Sequence, residues 1–246
     1  MKIAIIYSYP PAAEHGSKIL QKIKEALEQK NIEYVLFDLY SENFNPVLSK
    51  EEYVNYGSYV SYDIAKIQSE LKKAQIYIFV YPVWWSGPPA ILKGFIDRVF
   101  LPDFAFRIEN KELIGKLHSK VALVICTYGS GAAAEQAIGF PSKKFIQKAV
   151  LERCGIKNQM LEFYSLDIMD KTTFEHMLLE VPAAINRIIA YYNSLYMRQE
   201  SLKSLIEKSQ KKEEMQKATR KMPQKNLEDL KYFQQEQRKA KKKARR

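Results

Sequence analysis

KIAIIYS (Lys2–Ser8) is apolar almost without interruption, rich in β-branched residues, and shows no alternation of polar and apolar positions. A strand with one wet face would alternate, so this run belongs in a sheet covered on both sides. EYVLFDL (Glu33–Leu39), QIYIFVYPV (Gln75–Val83) and KVALVICT (Lys120–Thr127) repeat the pattern, each after a stretch with helical spacing. A weaker fifth run, MLEFYSL (Met160–Leu166), comes after a helical pattern over Ser142–Cys154 that stops at Gly155. Before the second run, Gly16–Gln29 places Ile19, Leu20, Ile23 and Leu27 on one face and Lys or Glu on the other, so that helix packs on the sheet. Alternating strand and helix predict an α/β fold with right-handed crossovers and helices on both faces of a parallel sheet. Five strands suit the order 2-1-3-4-5 at least as well as a six-stranded dinucleotide-binding order. In either winding ligands bind beyond the carboxyl ends of the strands, which directs attention to Tyr9–Ser17, Pro82–Pro89 and Tyr128–Gly139.

A last helix over Thr173–Tyr196, carrying Ile185, Ile188, Ile189 and Tyr192, is expected to close the other face of the sheet. Beyond it the composition changes. Residues 197–246 hold 17 of the 39 basic and 7 of the 28 acidic residues, so the body is nearly neutral and the tail carries most of the net charge of +11. The expected division is therefore a domain over 1–196 and a basic extension over 197–246, helical or partly disordered. In the extension Leu202, Leu205 and Ile206 form a thin apolar stripe, Pro223 breaks the helical pattern, and KAKKKARR (Lys239–Arg246) is too charged to bury. With 46% hydrophobic residues in 246, the chain is long enough for a real core, and disorder throughout is excluded. Cys126 and Cys154 can build neither a disulfide framework nor a four-ligand zinc site, and His118 and His176 lack neighbours at metal spacing; no metal is expected. The cysteine usage and the want of a cleavage site after the first apolar run suggest a cytoplasmic protein. The longest apolar stretch, Ile76–Trp85, is about half of a membrane span.

No GxGxxG stands after the first strand and no GxxxxGK[ST] occurs, so neither a dinucleotide fingerprint nor a P-loop is present. The strand leads instead into YPPAAEHGSK (Tyr9–Lys18), where Gly16 and Ser17 open a helix. A helix start offers free N–H donors to a phosphate, and Ser17 serves either that role or a plain helix cap. PVWWSGPP (Pro82–Pro89) ends a buried strand with two tryptophans fenced by Pro and Gly, either a rigid platform for a planar ring or an apolar contact surface. YGSG (Tyr128–Gly131) ends the fourth strand; its glycines let backbone approach a ligand, and N–H groups there would favour a ligand that gains negative charge on reduction. Cys126 at the same strand end reads as a buried structural thiol.

WWSGPPAILKGFIDRVF (Trp84–Phe100) resembles the signature of the flavodoxin-like NAD(P)H:quinone oxidoreductases, the group that includes DT-diaphorase, drug-activity modulator B and the ancillary flavoproteins of potassium-efflux systems. Pro89, Ala90, Leu92, Lys93, Gly94, Asp97, Arg98 and Phe100 carry the match, with support from DLYSENFNP (Asp38–Pro46) and from Phe104–Phe106. The resemblance covers about four fifths of the chain, Met1–Tyr196, and leaves out the basic tail.

The resemblance implies a flavodoxin-like homodimer with tightly bound FAD or FMN, reduced by NAD(P)H and reoxidised by quinones in a ping-pong exchange of a hydride at flavin N5. By position, His15, Gly16 and Ser17 would hold flavin phosphate. Pro82, Val83, Trp84 and Trp85 would line the isoalloxazine, and Thr127, Tyr128, Gly129 and Ser130 would contact its other edge. No residue is assigned as a certain catalytic group, with Tyr128 the one candidate. Ala90–Phe100 would be a helix at the dimer interface, with Lys93 and Asp97 paired along it.

The chain also departs from the family. Tyr9-Pro10 stands where a His-Pro is common, His15-Gly16-Ser17 where a Ser-Phe-Asn segment holds phosphate, and Ala134 and Phe140 where DT-diaphorase has a Tyr and a His that relay charge. These departures suggest slower turnover or different acceptors. The alternative activity is that of a regulatory subunit docked on a membrane transporter, with the tail on an anionic membrane surface. Without aromatic interleaving in the tail, nucleic acid is not the expected partner.

Overall fold

The computed structural model describes residues 1–220, with side chains described through Tyr196 and at a few positions beyond. In chain order the elements are β1 (Lys2–Tyr7), α1 (Glu14–Glu28), β2 (Glu33–Asp38), α2 (Lys50–Val54), α3 (Tyr62–Lys73), β3 (Ile76–Val83) and α4 (Ala90–Val99). They continue with β4 (Phe106–Glu109), β5 (Glu112–Gly115), β6 (Val121–Tyr128), α5 (Ala132–Ala137), α6 (Pro141–Lys144), a π-helical stretch (Phe145–Glu152), β7 (Lys157–Phe163), α7 (Lys171–Leu178) and α8 (Glu180–Arg220).

β2-β1-β3-β6-β7 form one parallel five-stranded sheet in the 2-1-3-4-5 winding, one of the two that the apolar runs suit and the one that the resemblance implies. All eight residues of β6 and all of β3 but Val83 are buried, which is why these two strands carry no alternation. Burying each Val, Leu, Ile or Phe side chain of these strands contributes about 1.5–3 kcal/mol, so the pair Ile76–Val83 and Val121–Tyr128, in register throughout, anchors the core. α1 seats Ile19, Ile23 and Leu27 on the sheet with no exposure.

The loop after β3 is held from below by α4. Gly94 lies so close to Pro46 that any Cβ would collide with the Pro46 carbonyl and ring, and Arg98 donates to the Asn45 carbonyl at 2.6 Å. Arg98 also meets the buried Glu52 carboxylate at 2.6 Å. The segment after β2 is thereby clamped to α4, and the Trp84–Pro89 loop leads into that clamped helix. On the outer face of α4, Lys93 reaches Asp97 at 2.7 Å.

Several boundaries differ from the sequence reading. α1 starts at Glu14 rather than Gly16, because Ala12 adopts φ +67° and the Ala13 N–H returns to the Pro10 carbonyl, turning the chain early. β7 begins at Lys157 and stops at Phe163. Its polar start pairs with Val121–Leu123, and Ser165, at φ +64°, bends the chain away after Tyr164. The helix expected over Thr173–Tyr196 is two helices, the first capped by Asp170, whose carboxylate accepts from the Thr173 N–H at 2.9 Å. The antiparallel hairpin β4–β5 lies outside every expectation. Its turn is Asn110-Lys111, both with φ > 0.

By compactness the chain divides into Met1–Asn193 and Ser194–Arg246. α8 continues through the expected boundary at Tyr196, while Pro223 and the basic run Lys239–Arg246 lie outside the described residues. Among the described residues no helix is long and apolar enough to cross a membrane.

Candidate functional site

Parallel strands that all point one way bring their carboxyl ends to one edge of the sheet, and there the loops after β1, β3 and β6 enclose a cleft of about 950 Å3. Of the residues assigned from sequence, His15, Pro82, Val83, Trp84, Trp85, Thr127, Gly129 and Ser130 line it. Ser17 lines a neighbouring hollow of about 400 Å3 instead. Gly16 and Tyr128 line neither.

The reasons are local. Gly16 is buried against Tyr9, and a Cβ there would overlap the Tyr9 ring and come within 2.8 Å of the Tyr7 hydroxyl, so this glycine serves packing. Tyr9 itself is buried, stacks on Tyr7 with centroids 5.6 Å apart, and shares a 2.6 Å hydrogen bond between its hydroxyl and Thr127 Oγ1. Burial raises the Tyr9 phenol far above its ordinary value, and pushes Tyr7 up to about 12, so both remain protonated. Ser17 is neither a cap nor a free donor: its hydroxyl donates to the Glu14 carbonyl at 2.9 Å within the first turn. The cap of α1 is Ala13, which has no side chain to satisfy the first N–H groups, and Ala13 faces the cleft.

The tryptophans sit on a tight turn. Trp84 N–H donates to the Gly87 carbonyl at 2.9 Å and Gly87 N–H returns to Trp84 at 3.0 Å. The two central residues, Trp85 and Ser86, both take left-handed conformations, φ +50° and +59°. Neither is glycine, so the turn is strained, and it holds Trp85 out with its whole side chain exposed. Trp84 is about half exposed beside it.

The opposite wall is built from the ends of β6 and β7. Ser165 N–H donates to the Ser130 carbonyl at 2.8 Å and Leu166 N–H to the Tyr128 carbonyl at 3.0 Å, so the two loops are stitched together. A Cβ on Gly129 would meet the carboxylate of the exposed Asp167, which lies against it. Glu135, buried in the first turn of α5, accepts a 2.7 Å hydrogen bond from Ser130 Oγ. Sequence reasoning passed over Glu135, Leu166 and Asp167, all of which line the cleft. Glu135 falls within the stretch after the fourth strand but looks like an ordinary helix-surface carboxylate. The other two stand after β7, a strand end outside the three singled out.

The Tyr128 side chain turns behind the wall, where it stacks on Tyr164 at 4.6 Å and donates to Glu162 at 3.1 Å. Desolvation, then the nearby Cys126 and Glu162, raise its phenol steeply, so it is no source of a proton for the cleft. Cys126 is wholly buried with its thiol pushed up by desolvation, a structural group as its position in the strand suggests. Ala134 and Phe140 do not line the cleft.

A model of the family described by its flavodoxin-like fold (Flavodoxin_2) matches residues 1–178. An uncharacterized NAD(P)H oxidoreductase of Haemophilus influenzae is 32% identical over 168 residues, 67% of this chain and 83% of that protein. Human ribosyldihydronicotinamide dehydrogenase (quinone) is 29% identical over 179 residues, 63% of this chain and 78% of that protein. Among solved structures, the NAD(P)H:quinone oxidoreductase of Methanothermobacter marburgensis superposes with a TM-score of 0.69 at 27% identity, covering 75% of this chain and 96% of that one. With the five-stranded winding in agreement with that model, the chain belongs to the flavodoxin-like fold family.

Proposed function

We propose that this protein is a flavin-dependent NAD(P)H:quinone oxidoreductase. The observation that carries the reading is the cleft at the carboxyl ends of β1, β3 and β6, walled by an exposed tryptophan pair on one side and close-approach backbone on the other. Its relatives, an NAD(P)H oxidoreductase and two quinone-reducing enzymes, support it. The residues present fit a flavin. The uncapped start of α1, with Ala13 and His15 at the cleft, suits a phosphate, and the Pro82–Trp85 edge suits a flat ring. Gly129 adds no side chain of its own to the other wall.

A bound FAD or FMN would supply the hydride chemistry between NAD(P)H and a quinone or similar planar acceptor. The chain's own part is to bind and orient. His15 and the first N–H groups of α1 hold the phosphate, with Gly16 and Ser17 shaping that helix start. Pro82, Val83, Trp84 and Trp85 fix the ring plane. Thr127, Gly129 and Ser130, with the Tyr128 backbone, meet the far edge. No side chain in the cleft is needed to carry the hydride, so alignment of flat partners does most of the work.

The functional unit is a homodimer. Tyr53, Val54, Tyr56 and Tyr62 are exposed around α2, beside the Glu52–Arg98 clamp on α4, and an apolar patch of this kind is suited to a partner copy. The protein is cytoplasmic, as its unpaired buried cysteines suggest, and its basic tail attaches to an anionic membrane surface. The transporter-subunit alternative rests on that tail alone.

The visible spectrum of the purified protein tests the reading. Flavin absorption that bleaches anaerobically with NADH or NADPH and returns with menadione is the expected result. A colourless protein that takes up neither FMN nor FAD overturns it.

A further inference from the structure

The sequence alone suggests that the wall after β6 offers hydrogen-bond donors and so favours a reduced, negatively charged ligand. The structure adds buried negative charge to that wall. Glu135 is 6% exposed, lines the cleft, and has only one of its carboxylate oxygens engaged among the described residues, by the Ser130 hydroxyl at 2.7 Å. Its other oxygen, Oε2, is buried with no hydrogen-bond partner among them. Because Ser130 spends its proton on Glu135, its hydroxyl turns lone pairs rather than a donor to the cleft. Asp167 adds a second carboxylate to the same wall, and among the described residues no Lys or Arg lines the cleft. Lys143, on α6, is engaged by Glu162 at 2.7 Å.

A buried polar oxygen left without a partner is uncommon and calls for a reason. A buried carboxylate without a counter-charge at the edge of the cleft acts on whatever is bound there partly through protein rather than bulk water, and it disfavours each added negative charge. We infer that Glu135 is the electrostatic determinant of this cleft: its carboxylate, set behind Ser130, lowers the reduction potential of the bound flavin, making it a stronger reductant toward its acceptor. The inference rests on the proposed flavin function. Glu135 acts by charge, without touching the reacting atoms, and is a positioning residue in that sense.

The test is the flavin midpoint potential of the full-length protein, measured by equilibration with a reference dye for wild type, Glu135→Gln, Ser130→Ala and Asp167→Asn. Glu135→Gln keeps the shape and the bond from Ser130 and removes the charge. It is expected to raise the ratio of reduced to oxidised flavin at a fixed potential about tenfold, a rise of about 30 mV for a two-electron couple. Ser130→Ala strips the carboxylate of its donor and is expected to move the potential the other way. A general loosening of the wall would move both variants in one direction. Asp167→Asn, exposed and screened by water, should shift the potential less than Glu135→Gln.

A potential in Glu135→Gln equal to or below that of wild type overturns the inference and leaves the flavin reading standing. Should that variant fail to fold, an unchanged or raised potential in Ser130→Ala overturns it equally. A wild-type chain that binds neither FMN nor FAD overturns both.

Discussion

At the scale of single residues, Gly16 and Glu52 show how much of the site is decided away from its surface. Gly16 lets α1 press on Tyr9, whose hydroxyl is tied to Thr127 across the base of the cleft. Gly16→Ala would drive a methyl into the Tyr9 ring. It is expected to cost about 1–3 kcal/mol in urea unfolding, since overpacking a closed contact displaces its neighbours, and to displace the Tyr9–Thr127 pair. An unchanged unfolding midpoint would show that Tyr9 can yield freely.

Glu52 is the counter-charge of Arg98. Burial alone would raise its carboxyl, but hydrogen bonds from Arg98, the Ser49 N–H and Ser61, with the Arg98 charge, hold it down to about 2. A carboxyl held below its unfolded value contributes stability that is complete above the ordinary carboxylate range, and that stability is lost as pH falls from about 4.5 toward 2. Glu52→Gln should therefore flatten the acid limb of the stability curve over that window. At neutral pH it should cost about 3 kcal/mol, because Arg98 is left buried with its charge uncompensated. An acid limb identical to wild type would remove Glu52 from the account.

Among the elements, the Trp84–Gly87 turn is the one whose conformation works against its own residues. Two non-glycine residues at positive φ cost about 1–2 kcal/mol each, and glycine at the second would relieve most of that while adding unfolded-state freedom. Ser86→Gly is expected to raise stability by about 0.5–1 kcal/mol, seen as a higher Tm, and to weaken flavin retention because Trp85 is no longer held in one place. A variant less stable than wild type would mean that the turn is not strained.

The same elements show what was legible in the sequence. β1, β3 and β6 are buried on both faces, so their apolar runs stood out; chain alternation gave the parallel sheet and the strand ends where ligands bind, and the resemblance chose between the two strand orders left open. That is why the tryptophan loop and Thr127–Ser130 could be singled out without a structure. β7 is an edge strand with half-buried side chains, and its polar start Lys157-Asn158-Gln159 hid three of its residues. The β4–β5 hairpin turns on Asn-Lys where Asn-Gly is the usual signal, so it passed as loop. Glu135 and Asp167 were missed for a different reason. A carboxylate reads as surface: Glu135 is instead buried against Ser130, while the exposed Asp167 follows β7, a strand end outside the three singled out, and reaches the cleft by lying against Gly129.

Across the whole molecule, charge and burial are segregated. Among the described residues, none beyond Ile188 is buried, while the body up to Asn193 contains the complete sheet and the cleft. The basic residues that set the net charge of +11 fall after Tyr196. Stability and membrane attachment should therefore separate cleanly on truncation. A chain ending at Tyr196 is expected to keep its Tm within about 2 °C, since it loses no buried side chain of the described body, and to keep its flavin spectrum. The full chain should sediment with vesicles rich in anionic lipid and release with rising salt, because a run of Lys and Arg is held at such a surface by about 1 kcal/mol per charge and is screened beyond the Debye length. The truncated chain should remain in the supernatant at every salt concentration, and both should ignore neutral vesicles. Sedimentation of the truncated chain with anionic vesicles would place the membrane contact on the nearly neutral body, where the exposed tyrosines around α2 would be the surface to examine. Salt-insensitive binding of the full chain would point instead to the apolar stripe of Leu202, Leu205 and Ile206, three exposed side chains on α8 that can insert where a charge can only hover.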